Sequence, residues 1–242
     1  MRRKFSKSRL GAFWYILHPL IQAAIYSLVL SELMRSRLPG VNNNAGFAIY
    51  LMAGMAAWGL FSEIVVRCTT IFIDYAPMLK KIAFPRICLP IIVGGGALIN
   101  HFLLLLAIAV IFAFFGIFPT IAWLYISISI LIIAVFSFGL GILLGTLNVF
   151  NRDISQFFTV VIQIWFWLTP IVYTIDILPI KMQWIVGINP LTPLIKIYQD
   201  AFVYGLSPDW ASLLFPALCA GIIFILGFLI FKRASVDLVD EL

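Results

Sequence analysis

Charged residues are scarce in this sequence of 242 residues: they make up 11% of it, whereas hydrophobic residues make up 63%. About a quarter of the residues of a soluble domain are normally charged, and the apolar excess here has no aqueous core to fill. A soluble globular protein is therefore excluded. A net charge of +6 would suggest nucleic-acid binding in a soluble protein, but in a membrane protein the placement of Lys and Arg reports topology. No nucleic-acid partner is expected.

Motifs of covalent chemistry are also missing. The phosphate-binding loop GxxxxGK[ST] is absent, because the closest glycine run, from Gly139 to Thr146, lacks the lysine. HExxH and GxSxG are absent too, and the two histidines, His18 and His101, lie in different apolar runs. Three cysteines without a CxxC pair indicate neither a disulfide framework nor a metal site. We therefore predict that the chain is not an enzyme and holds no cofactor or metal of its own.

Long apolar runs are what the sequence does contain. The bilayer core cannot hydrogen-bond a backbone, so each run must be helical, and each crossing of about 30 Å takes roughly 20 residues. We predict an all-α integral membrane protein with a single transmembrane domain over residues 1–242. Its six predicted spans lie at about 13–31, 47–66, 87–118, 121–147, 157–173 and 210–231.

The distribution of basic residues gives the predicted orientation. With the N-terminus placed inside, 12 of the 16 Lys and Arg residues fall in cytoplasmic segments. The outer segments hold only Arg35, Arg37, Lys181 and Lys196. Because Lys and Arg concentrate on the cytoplasmic side of membrane proteins, both termini are predicted to be cytoplasmic.

The connection between spans two and three is predicted to contain a short amphipathic helix. Met78, Leu79 and Ile82 fall on one helical face, Lys80 and Lys81 point elsewhere, and a proline suits the first turn. Two interpretations stay open. The helix could rest on lipid headgroups, or it could be the contact surface for a cytoplasmic partner.

The outer connection, residues 174–209, is predicted to form two half-length helices. One spans Lys181 to Ile188; the other has Thr192 as its cap and runs from Pro193 to Val203, only about 16 Å. The second helix should bury Leu194, Ile195, Tyr198, Ala201 and Phe202 and turn Lys196, Gln199 and Asp200 the other way. The pair either dips into the outer leaflet or lies on it. A dipping hairpin would help to build the outer mouth of a pathway.

Polar residues inside the predicted spans have simple structural interpretations. Glu63 is expected to pair with Arg67 four residues on, and His101 to bond a neighbouring helix. An intramembrane enzyme would need Glu63, Asn100 or His101 to converge on a substrate, which is a remote alternative.

The start of span five carries a predicted cap, in which Asp153 acts with Gln156. Arg152 beside it is either a topology anchor or a partner contact.

Three successive aromatic residues, Trp165, Phe166 and Trp167, occur in span five. Their rings must point in several directions, so one is expected to face protein or a pathway. Aromatic faces contact sugar rings without forming a tight site, which suits a polymer in transit. Simple packing is the competing interpretation.

Several blocks together carry a family resemblance. They are LGTLNVFNRDI at residues 144–154, FWLTPIVY at 166–173, LKKIAFP at 79–85, SRLG at 8–11 and the pair Asn189-Pro190. With these blocks the chain resembles the membrane subunit of ABC transporters that export polysaccharide. It is most similar to the Wzm type of O-antigen permease, which has capsule (KpsM) and teichoic-acid (TagG) relatives.

The resemblance implies a homodimer of six-span subunits in the bacterial inner membrane, bound to two P-loop ATPase subunits that hold ATP and Mg. It also implies a polyprenyl-linked glycan as the substrate, with export of teichoic acid, capsule, lipid or drug as the alternative. Relatives usually carry an amphipathic interfacial helix before the SRLG block, so this chain is expected either to be truncated at its start or to lack that helix.

The resemblance also assigns residues to three roles. The ATPase-coupling residues are Asp74, Tyr75, Met78, Lys80, Lys81, Arg152 and Asp153. The channel-lining candidates are Phe166, Trp167 and Tyr173. Short re-entrant helices before the last span would contain Pro179, Asn189, Pro190 and Pro193.

Overall fold

The computed structural model describes residues 44–81, 85–114 and 118–235, together with positions 21, 238 and 241. Within these residues the chain is helical and contains no strand, which confirms the all-α class. The helices are α1 (Asn44–Asp74), α2 (Ala76–Lys81), α3 (Cys88–Phe114), α4 (Ile126–Phe150), α5 (Asp153–Trp167), α6 (Ile180–Gly187), α7 (Leu191–Gln199) and α8 (Leu214–Ala234). Short 3-10 turns occupy Ile121–Tyr125, Ile175–Ile177 and Ala211–Leu213, and a π-helical turn, Asp200–Tyr204, continues α7.

Within the described ranges, four stretches of helix are long and apolar enough to cross a membrane: Gly46–Asp74, Cys88–Ala113, Ile121–Phe150 and Ala211–Ala234. They correspond to the predicted second, third, fourth and sixth spans. The predicted first span lies outside the described residues. The total of six spans therefore stays a prediction.

The predicted fifth span has a different shape from the one expected. Helix α5 has 15 residues and reaches only about 22 Å, and it ends at Trp167 rather than continuing to Tyr173. Pro170 explains this end, because proline lacks the backbone donor of the next turn and disfavours helical backbone at the residue before it. The prediction of one unbroken helix to Tyr173 was wrong.

Helix α1 is longer than predicted and occupies the centre of the bundle. It continues eight residues beyond the expected end at Val66, because Arg67 is paired inside the helix with Glu63 (2.7 Å) and does not mark its end. The side chains of Phe61, Ile64 and Phe72 are completely buried. Helices α3, α4, α5 and α7 all pack around α1.

Glycines set the distance between α4 and its neighbours. A Cβ atom on Gly139 would lie 2.5 Å from the backbone of Phe224 in α8, and one on Gly145 would lie 2.4 Å from the carbonyl oxygen of Cys68 in α1. A Cβ atom on Gly227 of α8 would likewise clash with the carbonyl oxygen of Gly139. Since lipid is as apolar as a leucine side chain, helices in a membrane gain stability from close packing at small residues. The glycine run in α4 is therefore a packing seam.

Candidate functional site

The block LGTLNVFNRDI forms the junction between α4 and α5. The amide of Asn148 donates to the carbonyl of Thr69 in α1 (2.9 Å), and its oxygen accepts from the backbone N–H of Ser155 in α5 (3.0 Å). Asn151 accepts from the N–H of Asp153 (3.1 Å). The two asparagines satisfy N–H groups that the start of α5 would leave unpaired. The prediction that Asp153 and Gln156 cap this helix was wrong, because the asparagines before them take that role.

A short helix, α2, follows directly at the end of α1. Asp74 is exposed and accepts from the hydroxyl of Thr70 (2.9 Å), and Tyr75 between the helices is 39% exposed. In α2 the Leu79 side chain is buried, Met78 is half-buried and Lys80 is exposed. Lys81 is the last residue of the helix. The apolar face of α2 therefore packs against the bundle while Lys80 points away from it.

Arg152 and Asp153 lie at the same end of the bundle as α2. Both are exposed; Arg152 lies in the turn that joins α4 to α5, and Asp153 is the first residue of α5. Asn148 ties this turn to Thr69, and Thr69 precedes the end of α1 by only five residues. The structure thus brings the coupling candidates to one end of the molecule.

The polar residues inside the helices pair with one another. Glu63 accepts from Arg67 and from the amide of Asn100 in α3 (3.1 Å). His101 shares a hydrogen bond of 2.8 Å with the hydroxyl of Tyr198 in α7. Both predictions, the local ion pair and a partner for His101 on another helix, are confirmed. Within the described ranges, no three His, Cys, Asp or Glu residues cluster as a metal ion would require.

The three aromatic side chains near the end of α5 point in three directions. Trp165 packs against Phe61 of α1, and Phe166 packs edge-on against Trp58 of α1, with ring centroids 5.6 Å apart. Trp167 is 58% exposed. The half-buried Tyr173 donates its hydroxyl to the backbone carbonyl of Trp167 (3.0 Å). Of the three channel candidates, Trp167 presents the most surface.

Asn189 holds the turn between α6 and α7 against α5. Its oxygen accepts from the indole N–H of Trp165 (3.0 Å) and from the N–H of Leu191 (3.1 Å), and its amide donates to the hydroxyl of Thr169 (2.8 Å). Pro190 follows Asn189 in this turn and immediately precedes α7. The pair Asn189-Pro190 therefore ends one short helix and begins the other.

The boundaries of the two short helices differ slightly from those predicted. Pro179 immediately precedes α6 and its carbonyl accepts from Met182 (2.8 Å). Helix α7 begins at Leu191, so Pro193 is its third residue. Thr192 does not cap this helix; its hydroxyl donates to the carbonyl of Val186 in α6 (2.8 Å).

Helix α7 is surrounded by protein on nearly every side. The five residues predicted to be buried are buried. The prediction for Gln199 was wrong: this side chain is 2% exposed, and its amide donates to the carbonyl of Pro170 (3.0 Å). Tyr50 of α1 donates to the carbonyl of Tyr173 close by (3.1 Å). A polar side chain thus points inward because the end of α5 leaves a carbonyl there to satisfy.

Sequence reasoning did not predict the contacts that Asn148, Tyr50 and Gln199 make. Each serves an unpaired backbone group on another segment, and one-dimensional spacing carries no signal for such a contact. The sequence does mark two exposed glutamines of α5, Gln156 and Gln163. They are polar residues within an apolar span, and such residues are unfavourable in contact with lipid.

Known proteins similar to this chain are membrane permeases. Residues 1–203 match the family described as ABC-2 type transporter. Two proteins of Klebsiella pneumoniae, each named O-antigen export system permease protein RfbA, are 31% identical to the chain. One alignment covers 89% of this chain and 82% of the relative, and the other covers 96% and 88%. A protein of the same name from Myxococcus xanthus is 26% identical over 86% of this chain and 79% of its own length. The resemblance drawn from the sequence is thereby confirmed, and the chain belongs to the ABC-2 type transporter family, as a transmembrane permease.

Proposed function

We propose that this chain is the transmembrane subunit of an ATP-driven exporter that moves a lipid-linked polysaccharide of O-antigen type to the outer face of the bacterial inner membrane. The observation that carries the proposal is the similarity to O-antigen export permeases, which extends over as much as 96% of the chain. The four membrane-length helices found in the described part of the chain and the absence of a phosphate-binding loop from the sequence are in keeping with it.

ATP and Mg belong, in this proposal, to two P-loop ATPase subunits that dock at the end of the bundle bearing α2. The exposed Lys80, the exposed Tyr75 and the α4–α5 turn with Arg152 and Asp153 supply charged and aromatic contacts there. Because α2 follows α1 after a single residue, a force on α2 acts directly on the central helix. Both termini lie on this cytoplasmic side.

Two copies of the chain form the pathway between them, and the hairpin of α6 and α7 dips into the outer leaflet beside it. The contact between Tyr198 and His101 supports such a dip, because His101 lies 13 residues, or about 20 Å, from the last residue of α3. Phe202, at the other end of this segment, packs against Phe112 and Trp123, which lie near the outer ends of their helices. Trp167, Phe166 and Tyr173 lie near the hairpin and are our candidates for lining the pathway.

Purification from the native membrane tests the assembly. The chain, isolated in mild detergent, should carry an equal amount of a P-loop subunit and hydrolyse ATP. Recovery of a dimer of this chain without any ATPase would contradict the proposed ATP-driven exporter. Deleting the gene should remove surface O-polysaccharide; unaltered polysaccharide would instead favour the export of a lipid or drug.

The docking surface has its own test. Replacing Lys80→Glu and Lys81→Glu together should release or uncouple the ATPase while the chain still inserts in the membrane. The matched control is Lys181→Glu, an exposed lysine at the start of α6 on the opposite side of the predicted topology. Equal ATPase retention in both variants would refute α2 as the contact surface.

A further inference from the structure

The exposed faces of the peripheral helices differ in chemistry. Between Ile91 and Val110 of α3, and between Leu214 and Ile230 of α8, every exposed residue is apolar. Helix α5 instead exposes Gln156, Thr159 and Gln163. Their spacing of three and then four residues places them on one helical face. Helix α5 therefore carries a polar stripe, Gln156–Thr159–Gln163, that the other two helices lack.

Hydrocarbon is an unfavourable surrounding for this polar stripe. Moving an amide from water into an apolar medium without a hydrogen-bond partner costs on the order of 2–7 kcal/mol of free energy. Neither glutamine side chain has a hydrogen-bond partner within the described part of the chain. Uncharged polar groups in membrane helices normally face protein or a water-filled cavity. The stripe is therefore the face of α5 suited to water.

The stripe begins in a cleft between α1 and α5. The cleft has a volume of about 170 Å³. Val66 and Phe158 supply apolar surface to it, and its polar lining consists of Thr69 and Thr70 of α1 with Ser155, Gln156 and Thr159 of α5. It lies beside the α4–α5 junction, at the end of the bundle that bears α2. Pockets for drug-sized ligands begin at roughly 300 Å³, so this cleft suits a unit of about one sugar ring.

The hydroxyl groups in the cleft offer acceptors. Thr69 donates to the carbonyl of Val65 and Thr159 to that of Ser155, each at 2.8 Å, while Thr70 donates to Asp74. Since each hydroxyl has a single hydrogen, its oxygen is left to accept. Gln156 adds both donors and an acceptor. Among the described residues that line the cleft none is charged, whereas phosphate recognition normally uses cations or multiple N–H donors.

We propose that this cleft and the polar stripe above it bind the hydroxyl groups of an uncharged sugar unit and pass it along α5 toward Trp167. The proposal rests on the proposed function, since it names how a glycan would be held at the cytoplasmic entrance. The contacts are few and neutral, so successive units bind weakly and are released readily. An aromatic ring at the far end, four residues beyond Gln163, continues the same face.

Thiol labelling tests whether water reaches the polar stripe. In a background where Cys68, Cys88 and Cys219 are alanine and export persists, single cysteines are placed at Thr159 and Gln163. Controls are Leu106→Cys on α3 and Leu218→Cys on α8, both exposed and apolar. A charged methanethiosulfonate reagent should label the stripe at least about tenfold faster, because the thiolate that forms in water is the reactive species. Labelling at the control rate overturns the proposal, whether lipid or the first predicted span covers the stripe.

Export measurements test whether the stripe binds sugar. Gln163→Leu should slow the appearance of surface polysaccharide by about fivefold, the size expected for one hydrogen bond. Its control is Ile164→Leu, and permease amount and ATPase association should be unchanged in both. Rapid labelling with normal export by Gln163→Leu refutes sugar binding but leaves the exporter intact. If deletion of the whole chain leaves polysaccharide unaltered, the proposed function itself fails, and the sugar site with it, whatever the labelling shows.

Discussion

Helices α4 and α5 are separated by only two residues, yet their surroundings are opposite. Helix α4 is enclosed: Gly139 touches the backbone of α8, Gly145 touches that of α1, and Ser129 donates to the carbonyl of Leu194 in α7 (2.8 Å). Helix α5 is short and turns Gln163 and Trp167 outward. Small residues therefore mark the enclosed helix, and exposed polar residues mark its more open neighbour.

The largest loss of stability is expected from a substitution where α4 crosses α8. Gly139→Leu forces a side chain into the backbone of Phe224, and we expect a loss of more than about 3 kcal/mol of unfolding free energy. Folded, monodisperse protein in detergent should be nearly absent. Gly221→Leu on α8 is the control, since a Cβ there has no atom within 4 Å. Comparable loss in both variants would contradict the packing seam.

The link between the two helices depends on Asn148. Asn148→Leu leaves the carbonyl of Thr69 and the N–H of Ser155 without their partner, which should cost about 2–3 kcal/mol. A drop in the thermal unfolding midpoint measures this. Asn151→Ala removes only the exposed bond to Asp153 and should cost about 1 kcal/mol. If Asn151→Ala were the more damaging change, the assigned role of Asn148 would be wrong.

A hydrogen bond from Gln199 to the carbonyl of Pro170 helps to hold the segment that follows α5. Gln199→Leu removes the donor to the carbonyl of Pro170 and should lower the unfolding free energy by about 1 kcal/mol. Thermal unfolding in detergent gives the value. Lys196→Leu, the same kind of replacement at an exposed position of α7, should stay within about 0.5 kcal/mol. Equal effects would show that the contact with Pro170 contributes nothing.

The smallest effect is expected at Ser137, within the enclosed α4. Its hydroxyl is buried and has no hydrogen-bond partner in the described part of the chain, so Ser137→Ala should leave stability unchanged or slightly raised. Ser129→Ala is matched in burial but loses the bond to Leu194, and should cost about 1 kcal/mol. The same fall in the unfolding midpoint for both variants would indicate an unseen partner for Ser137.

The sequence predicted those features that follow from local chemistry. Apolar runs located four membrane-length helices, and the spacing of Glu63 and Arg67 predicted their ion pair. It did not predict the inward turn of Gln199, because counting polar residues as exposed assumes that a helix has a solvent side. Helix α7 has protein almost all around it. The coupling and channel assignments came from a resemblance and stay predictions.

The central helix α1 is a continuous rod of 31 residues without proline. Its lower end continues after one residue into α2, and Tyr50 near its upper end holds the carbonyl of Tyr173. These two attachment points lie about 36 Å apart along the axis, since 24 residues separate Tyr50 from Asp74. If the ATPase docks at α2 as proposed, a displacement of α2 would be carried along this one continuous helix to the segment around Tyr173.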